Sequence, residues 1–389
     1  MKNRVLTLFA VASISFAAFT VSCSGDDDNK NTTPPSSFVV DRNNLQGEIT
    51  DGEAILESGT YKLTGSLIVG PNAKLTIRPG VIIEATDFAQ GQEIRYIAVE
   101  QDGEIDVQGS AQSPVIMTST TKVPGSWGGL VVCGKARINK GDRARAEVSN
   151  LWYGGTEDND NSGSIKYLRI EYPGYSYNSE KEFNGVSFFA VGSGTTVENV
   201  QVYESSDDGF EWFGGSVNTK NLSVINVSAT KPGDDLFDWT EGWSGTNENW
   251  YGKRTNGGNR GIEADNNSDN HSATPISNPT IKNLTLVGTG EADSGSEAQA
   301  IKLRVGTNAK FENVVINNWK RGFDVQHAES LAFVTAGTLK ATGVKFENVT
   351  TKAVGADNIN TMFTESTTAT GAGNGADVPT WATGWTRNN

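Results

Sequence analysis

The sequence predicts an all-β solenoid in which short strands coil into stacked rungs, and repeats of three kinds predict it. The clearest is a pair of near-identical blocks 27 residues apart, DDGFEW at 207–212 and DDLFDW at 234–239. A fixed period of about 20 to 50 residues is typical of solenoid proteins, because each repeat buries its apolar face against its neighbours. The same offset leads from Asp238 to Asp265, so we expect Asp265 one rung further on.

The other two repeats describe strands and their turns. A strand–turn–strand pattern around a glycine occurs at 69–75, at 305–311 and, more loosely, at 191–197. In the last pattern a charged residue and an asparagine precede two alternating aliphatic residues, and its asparagines are Asn199, Asn221, Asn283, Asn313 and, in a partial copy, Asn348. Alternation predicts half-buried strands with the aliphatic side chains inward. We expect the asparagines to form a buried ladder of amides at the strand spacing of ~4.8 Å.

The segments before the solenoid predict export and anchoring. Residues 1–22 have two basic residues and then an apolar run too short to span a bilayer, which is the pattern of a signal peptide. Cys23 follows a small residue, and this junction resembles that of bacterial lipoproteins, which implies a lipid on Cys23 and a surface-exposed place on the outer membrane. Secretion with cleavage elsewhere is the alternative. Residues 23–39 are polar, as in a tether, and the solenoid with a C-terminal cap occupies 40–389.

Composition excludes several classes of function. The formal net charge of −14 argues against binding to nucleic acid or to an anionic membrane surface. With Cys23 lipidated, Cys133 has no disulfide partner, and its place in an apolar strand indicates a small buried hydrophobe. His271 and His327 have no companions at metal-ligand spacing, which argues against zinc and against Ser-His-Asp chemistry. No glycine-rich phosphate loop precedes a helix, so we expect no nucleotide.

Several stretches together resemble right-handed parallel β-helix proteins. They are the opening strands at 65–69 and 75–81, the SWGGL segment at 126–130, the DDGFE block and the GIEADN segment at 261–266. More narrowly, they are similar to a group of bacterial surface lipoproteins of uncharacterised function, over about residues 45–385. The resemblance implies a single parallel β-helix of roughly ten rungs that is located at the cell surface. It implies no catalytic residues.

A ladder of carboxylates supplies the candidate metal and catalytic residues. Period two sends outward a set of acidic residues: Asp207, Glu211, Asp234, Asp238 and Asp265. Carboxylates ~5 Å apart repel by ~3 kcal/mol per ionised pair at an effective dielectric constant of about 20. The ladder must therefore be hydrated, share protons or bind a cation. Calcium, which takes about six to eight oxygen ligands, is the one cofactor that the pattern suggests.

Three interpretations of the ladder stay open: a solvated face with turn-capping aspartates, a calcium site, and acid–base catalysis. For catalysis, glycoside hydrolysis needs two carboxylates, ~5 Å apart for retention or ~6.5–9.5 Å apart for inversion. Lys302 and Arg304 lie on one face of a strand. The β-helix polygalacturonases likewise combine aspartates with a basic strand, although the order of the residues differs here.

Aromatic residues after the second block are candidates for ligand binding. Trp243, Trp250 and Tyr251 accompany amide and carboxylate groups, and flat aromatic faces beside such groups are what sugar recognition uses. The alternative is that these rings cover the solenoid core. Trp381 and Trp385, near the C-terminus, are expected to cap the last rung.

The favoured interpretation is a lipid-anchored surface β-helix that binds a glycan or serves as a structural module, with a glycan or another surface protein as its partner. One alternative is a polysaccharide-cleaving hydrolase or lyase that uses the stacked carboxylates. Another is an adhesion protein with no small ligand. The sequence leaves open whether the protein is an enzyme.

The lipid anchor is tested by Cys23→Ala. Since Cys23 carries the expected lipid, the variant should remain soluble or accumulate unprocessed, as measured by membrane fractionation and the mass of the mature chain. A variant that partitions into membranes and matures like the parent protein contradicts the lipoprotein interpretation.

Overall fold

In the computed structural model, residues 33–178, 181–290 and 298–388 are described, and they coil into a right-handed parallel β-helix. The strands in chain order are β1 (Leu45–Ile49), β2 (Glu53–Leu56), β3 (Gly59–Val69), β4 (Lys74–Ile77), β5 (Val81–Ala85), β6 (Ile97–Val99), β7 (Glu104–Gln108), β8 (Val115–Ser119), β9 (Leu130–Cys133), β10 (Ala144–Arg145), β11 (Trp152–Tyr153), β12 (Gly163–Glu171), β13 (Ser176–Asn178), β14 (Lys181–Glu182), β15 (Val186–Phe189), β16 (Thr196–Tyr203), β17 (Phe210–Phe213), β18 (Asn218–Asn226), β19 (Phe237–Thr240), β20 (Thr246–Arg254), β21 (Ile262–Ala264), β22 (Thr280–Val287), β23 (Gln299–Leu303), β24 (Lys310–Asn317), β25 (Arg321–Val325), β26 (Lys340–Glu347), β27 (Thr351–Val354) and β28 (Phe363–Glu365). The helices are α1 (Ala328–Thr335) and two short 3₁₀ helices, Ile359–Met362 and Thr380–Ala382.

Each rung contributes one parallel segment to each of three walls. Wall 1 contains β2, β4 and β7 and then the first halves of the long strands β12, β16, β18, β20, β22, β24 and β26. Wall 2 contains the start of β3, then β5 and β8, and then the second halves of the same long strands. Wall 3 contains β1, the end of β3, β6, β9, β15, β17, β19, β21, β23, β25 and β27. The prediction of a single parallel solenoid is confirmed.

A ladder of asparagines marks the bend between walls 1 and 2. Asn199, Asn221, Asn249, Asn283 and Asn313 all have positive φ, between 54° and 62°, a conformation that asparagine tolerates better than most residues. From Asn221 onward, each Nδ2 donates to Oδ1 of the asparagine one rung below, at distances of 2.9, 2.7, 2.9 and 2.8 Å along the ladder. The amides are half-buried rather than inward, because the bend places them at the corner of the rung.

Two residues show where the sequence pattern misled. Asn249 belongs to the ladder, although Trp250 and Tyr251 replace the aliphatic residues of the repeat. Asn348 does not belong to the ladder. Strand β26 aligns Glu347 with Asn317, so Asn348 lies at the end of wall 2 and not at the bend. In that rung Gly343, with φ of 69°, occupies the bend.

Stacked aromatic rings fill the middle of the solenoid. Phe210 aligns with Phe237, and their buried rings are stacked with centroids 6.0 Å apart. The indole of Trp212 stacks on Trp243 at 4.5 Å and on Trp250 at 4.9 Å. The offset between the first two blocks is therefore one rung, as predicted.

The third rung departs from the predicted period. Strand β21 aligns Glu263, not Asp265, with Asp238. The turn before β21 is two residues shorter than the repeat requires, so the expected position of Asp265 is wrong by two residues. Asp265 still faces outward, because two residues restore the same face of a strand.

The C-terminal segment covers the outer face of wall 2 instead of capping the last rung. Going back along the stack, Ala372 N donates to Thr285 Oγ1, Tyr251 Oη donates to the carbonyl of Ala376, and Arg387 N donates to Gln201 Oε1. Arg169 donates to the carbonyl of Trp385 at 3.0 Å. The expectation that Trp381 and Trp385 cap the last rung is wrong, because the segment returns to earlier rungs and buries outward polar residues there.

Two loops, one between β9 and β12 and the other between β12 and β15, cover the first half of wall 3 and are together called the insertion. Outward residues of that wall, among them Val131, Cys133 and Phe189, form a second apolar cluster with Tyr153 and Phe183 of the insertion. The two hairpins of the insertion are β10–β11 and β13–β14. Cys133 is buried, as predicted, and burial raises the pKa of its thiol.

At the N-terminal end, part of the expected tether pairs with the first rung. Pro35 forms a parallel bridge with Glu53, and Ser37 N donates to Asp51 Oδ1 at 2.8 Å. The expected signal peptide and Cys23 lie outside the described residues. Within the described residues, no helix has the length and apolar character to span a membrane.

Truncating Phe237 tests the stacking of rungs. Because the ring is fully buried between rungs, Phe237→Ala should lower the free energy of unfolding by ~3–5 kcal/mol. Tyr177→Ala is the matched control, since this ring is 64% exposed and its loss should change stability by less than about 0.5 kcal/mol. Hydrogen exchange should show the greatest loss of protection in β17 and β21 and the least near Val69. Uniform loss along the chain would contradict nearest-neighbour coupling.

Candidate functional site

The outward row of wall 3 changes character along the solenoid. In register, its residues are Ile68, Ala98, Val131, Ser187, Glu211, Asp238, Glu263, Lys302 and Asp324. The apolar residues lie beneath the insertion. The acidic residues begin where that cover ends, so they are half-buried or buried and do not form a simple solvated face.

An open cleft of about 270 Å³ lies over the acidic part of this row. Of the predicted site residues, Glu211, Asp238 and Asp265 line it. The rest of the lining consists of Lys140, Phe213, Thr240, Glu241, Asn267, Ser268, Asp269 and Arg304. Asp207 and Asp234 do not line the cleft and lie in the turns beside it.

A basic strand neutralises one side of the cleft. Arg304 Nε donates to Asp265 Oδ1 at 2.7 Å, and Arg304 Nη2 donates to Glu263 Oε2 at 2.8 Å. Arg260 approaches Glu263 Oε1 to 2.8 Å, and Lys302 approaches the same oxygen to 3.7 Å. Glu263 and Arg260 were missed from the sequence. The β21 register that reveals Glu263 could have been found by allowing a rung of 25 residues.

The insertion closes the opposite side. Tyr153 Oη donates to Glu241 Oε2 at 2.8 Å, and Lys140 Nζ lies 3.1 Å from Glu241 Oε1. Lys140 and Tyr153 lie 101 and 88 residues before Glu241, the carboxylate that both of them meet. No spacing in the sequence announces these contacts, because the insertion folds back over the wall as a tertiary arrangement.

Below the cleft, carboxyl groups crowd together in three overlapping sets. In each set one oxygen per residue lies within 4.8 Å of the others, and the sets are Asp207, Asp208 and Asp234; Asp208, Glu211 and Asp238; and Asp235, Asp238 and Glu263. Some of these oxygens have partners: Asp208 Oδ1 accepts from Asp235 N at 2.9 Å, and Asp235 Oδ2 lies 3.3 Å from Arg260.

Crowding and burial shift the ionisation of these groups. Burial, reinforced by repulsion from neighbouring carboxylates, raises the pKa of Asp207, Asp208, Glu211 and Asp238 well above their ordinary values. Burial and the charge of Asp234 raise the pKa of Asp235 to about 8, although Arg260 opposes the shift. These groups therefore favour a shared proton or a bound cation over full ionisation.

Three buried oxygens in or beside the acidic sets accept no hydrogen bond from any described residue. Two are Asp238 Oδ1 and Glu263 Oε1, of which the second lies 2.8 Å from Arg260. The third is Oδ1 of Asn184, a side chain only 3% exposed whose Nδ2 donates to Glu211 Oε2 and to Ser187 Oγ. Buried polar atoms without a partner are uncommon and costly. Asn184 therefore presents its amide N–H group, and not its oxygen, to Glu211.

The aromatic residues predicted to bind ligand are core residues. Trp243 and Trp250 are 0% exposed and Tyr251 is 1% exposed. Trp243 Nε1 donates to the carbonyl of Val217, and Trp250 Nε1 donates to Thr219 Oγ1. The expectation that they contact a ligand is wrong, because Trp243 and Trp250 fill the interior of the solenoid and the C-terminal segment covers Tyr251.

The two histidines meet, which their sequence positions did not reveal. The rings of His271 and His327 are 4.8 Å apart, and His271 Nδ1 lies 3.1 Å from Glu329 Oε2. Val305 N donates to His327 Nδ1 at 3.0 Å, which places the proton of the neutral ring on Nε2. His327 is therefore held as a structural hydrogen-bond acceptor, and it is poorly placed to be a metal ligand.

The strand topology defines a parallel β-helix domain. The cleft over wall 3 is its candidate ligand site. The profile of a family described as a pectate-lyase-like β-helix domain matches residues 47–386. The chain belongs to this family. No curated protein and no solved structure matches the chain. Fold and family fit a surface module or a polysaccharide-acting enzyme.

Proposed function

We propose that the protein is a surface module that binds a glycan in the cleft over wall 3. The observation that carries the proposal is the cleft itself, where the carboxyl groups of Glu211 and Asp238 lie in the same 270 Å³ space as Lys140 and Arg304. Carboxylates accept, and ammonium and guanidinium groups donate, the hydrogen bonds that sugar hydroxyls form. A few well-placed polar groups of this kind fix the orientation of a ligand in a pocket.

The lining groups are held in place before any ligand arrives. Arg304 is fixed by its bonds to Glu263 and Asp265, and Glu241 is fixed by Tyr153 and Lys140. A preorganised lining supports the proposal, because ordering flexible side chains on binding costs affinity.

Polysaccharide cleavage is a second candidate function, and one observation favours it. Asp238, whose pKa is raised by burial, lines the same cleft as Asp265, which accepts a hydrogen bond from Arg304. Asp238 would then serve as the proton donor and Asp265 as the carboxylate, which is the division of roles that glycoside hydrolysis requires. Lys302 and Arg304 also provide the basic strand beside the carboxyl groups.

We also infer that the acidic sets bind a divalent cation, for which Ca²⁺ is the natural probe. Asp208, Glu211 and Asp238 bring oxygens within 4.8 Å of one another, and the buried Oδ1 of Asp238 accepts no hydrogen bond from a described residue. Carboxylate oxygens are ligands that calcium takes. A cation would also relieve the repulsion that raises the pKa of these carboxyl groups.

The proposed location follows from the first residues of the chain. A lipid on Cys23 would anchor the β-helix to the outer membrane and expose the cleft at the cell surface. The polar residues between Cys23 and Pro34 would act as the spacer.

A glycan array combined with a reducing-sugar assay tests the proposed function. Asp238→Asn and Arg304→Gln should each weaken binding of an array hit about tenfold or more, since a hydrogen bond to a charged group contributes about 1.5–3 kcal/mol. Glu248→Gln is the control, because Glu248 lies on the open face of wall 1. New reducing ends that disappear in Asp238→Asn would identify an enzyme instead. No array binding and no cleavage would leave an adhesion protein without a small ligand.

Cation binding is tested by thermal melting across pH. In chelator the melting temperature should fall from about pH 5 to about pH 8, because groups with a raised folded-state pKa bind more protons when folded. Millimolar Ca²⁺ should raise the melting temperature, and more at the higher pH, where the carboxylates are ionised.

The double variant Asp234→Asn, Asp238→Asn should lose the calcium increment, and Glu248→Gln should retain it. An increment that is absent in the parent protein at both pH values would contradict the cation proposal and leave the glycan proposal standing.

A further inference from the structure

The insertion carries an exposed tryptophan on its β10–β11 hairpin. In this antiparallel pair Arg145 lies directly opposite Trp152. All nine tryptophans of the chain lie among the described residues, and Trp152, at 44% exposure, is the exposed one. A single exposed ring needs no special reason, so what distinguishes Trp152 is the set of charged groups around it.

Two arginines gather at this indole. The guanidinium carbon of Arg145 lies 3.8 Å from the ring centroid, and that of Arg143 lies 5.1 Å from it. Arg145 also donates to the carbonyl of Asn150 at 2.6 Å, and Arg143 donates to Gln101 Oε1. Ring and acceptors therefore hold two positive charges within 5.1 Å of the same indole.

Within the described residues neither guanidinium lies within ion-pair distance of a carboxylate. Burial raises the pKa of the Glu100 carboxyl group, and the charge of Arg145 acts on that group and opposes the rise. Among the residues that the structure describes, Arg143 and Arg145 form no ion pair, whereas many other arginines do: Arg78, Arg137, Arg169, Arg260, Arg304, Arg321 and Arg387. In a chain of net charge −14, carboxylates are abundant. The nearby Asp102 is taken by Lys135, at 2.6 Å.

A cleft of about 260 Å³ opens beside the pair. Its lining combines the two arginines and Gln101 with the apolar surfaces of Pro71, Leu151 and Trp152, and with Glu100 and Asp102. Each guanidinium has five N–H donors, and the described residues offer one acceptor to each guanidinium. An anionic group placed between them would receive bidentate hydrogen bonds and would offset the repulsion between the two charges.

We propose that Arg143, Arg145 and Trp152 form a second binding site, for a sugar that bears a carboxylate or sulfate group. The two guanidinium groups bind the anion, Trp152 positions them, and Leu151 and Pro71 contact the sugar ring. The site is separate from the cleft over Glu211 and goes beyond the proposed function. Glu100 lies four strand spacings, ~19 Å, from Thr240 along one outward row.

Calorimetric titration with three tetrasaccharides tests the site: one of uronic acid, one sulfated and one neutral. At least one acidic tetrasaccharide should bind, and the neutral one should bind at least about tenfold more weakly, a difference of about 1.4 kcal/mol. Which acidic probe binds distinguishes carboxylate from sulfate. Binding should weaken about tenfold or more in the double arginine variant Arg143→Gln, Arg145→Gln, and likewise in Trp152→Ala. Raised salt should weaken binding to the parent protein.

The controls separate this site from the cleft. Arg137→Gln removes an exposed arginine that pairs with Asp158, and Tyr177→Ala removes an exposed ring, so both should bind like the parent protein. Asp238→Asn should also bind acidic probes normally, even if cleft binding fails. Equal binding of neutral and acidic probes, no binding of either, or unchanged binding in the double arginine variant with an unchanged melting temperature would each overturn the proposal.

Discussion

The hydrogen-bonded register between parallel strands decides which side chains are neighbours throughout this molecule. Rungs stack at ~4.8 Å, so each outward or inward residue lies beside its counterpart one rung away. Where the stacked groups attract, the register stabilises the fold, as in the asparagine ladder and the rings of Phe210 and Phe237. Where the stacked groups repel each other, the same register lowers the stability of the fold at a defined point of the surface.

Walls 1 and 3 resolve charge stacking in opposite ways. On wall 1 the outward row alternates in sign, and its ion pairs are Lys166–Glu198, Lys220–Glu248 and Lys282–Glu312. On wall 3, Glu211, Asp238 and Glu263 follow one another without alternation. Alternating charges on wall 1 stabilise the stack. The acidic row on wall 3 has no such alternation, and it therefore lowers the stability of the fold. Such costs are concentrated at functional sites.

Long-range coverings decide which parts of the walls are accessible. The C-terminal segment buries the outward row of wall 2, and the insertion buries the first half of wall 3. The uncovered remainder of wall 3 is the cleft, and the far side of the insertion presents Trp152. The two candidate ligand sites therefore exist because of where the coverings end.

By itself, the sequence determined the solenoid, the one-rung offset between Phe210 and Phe237, the asparagine ladder and the gathering of Glu211, Asp238 and Asp265 on one wall. These follow from local alternation and a repeat period, which are properties of neighbouring residues. Only the tertiary structure decided that Trp243 and Trp250 are core, that Trp152 is exposed, and that Lys140 and Glu241 meet. Whether an aromatic ring is buried depends on which distant segment covers it, and such a contact produces no periodic pattern in the sequence. The shortened rung that brings Glu263 beside Asp238 was likewise hidden, because turn length is free to vary while strand pairing holds the register.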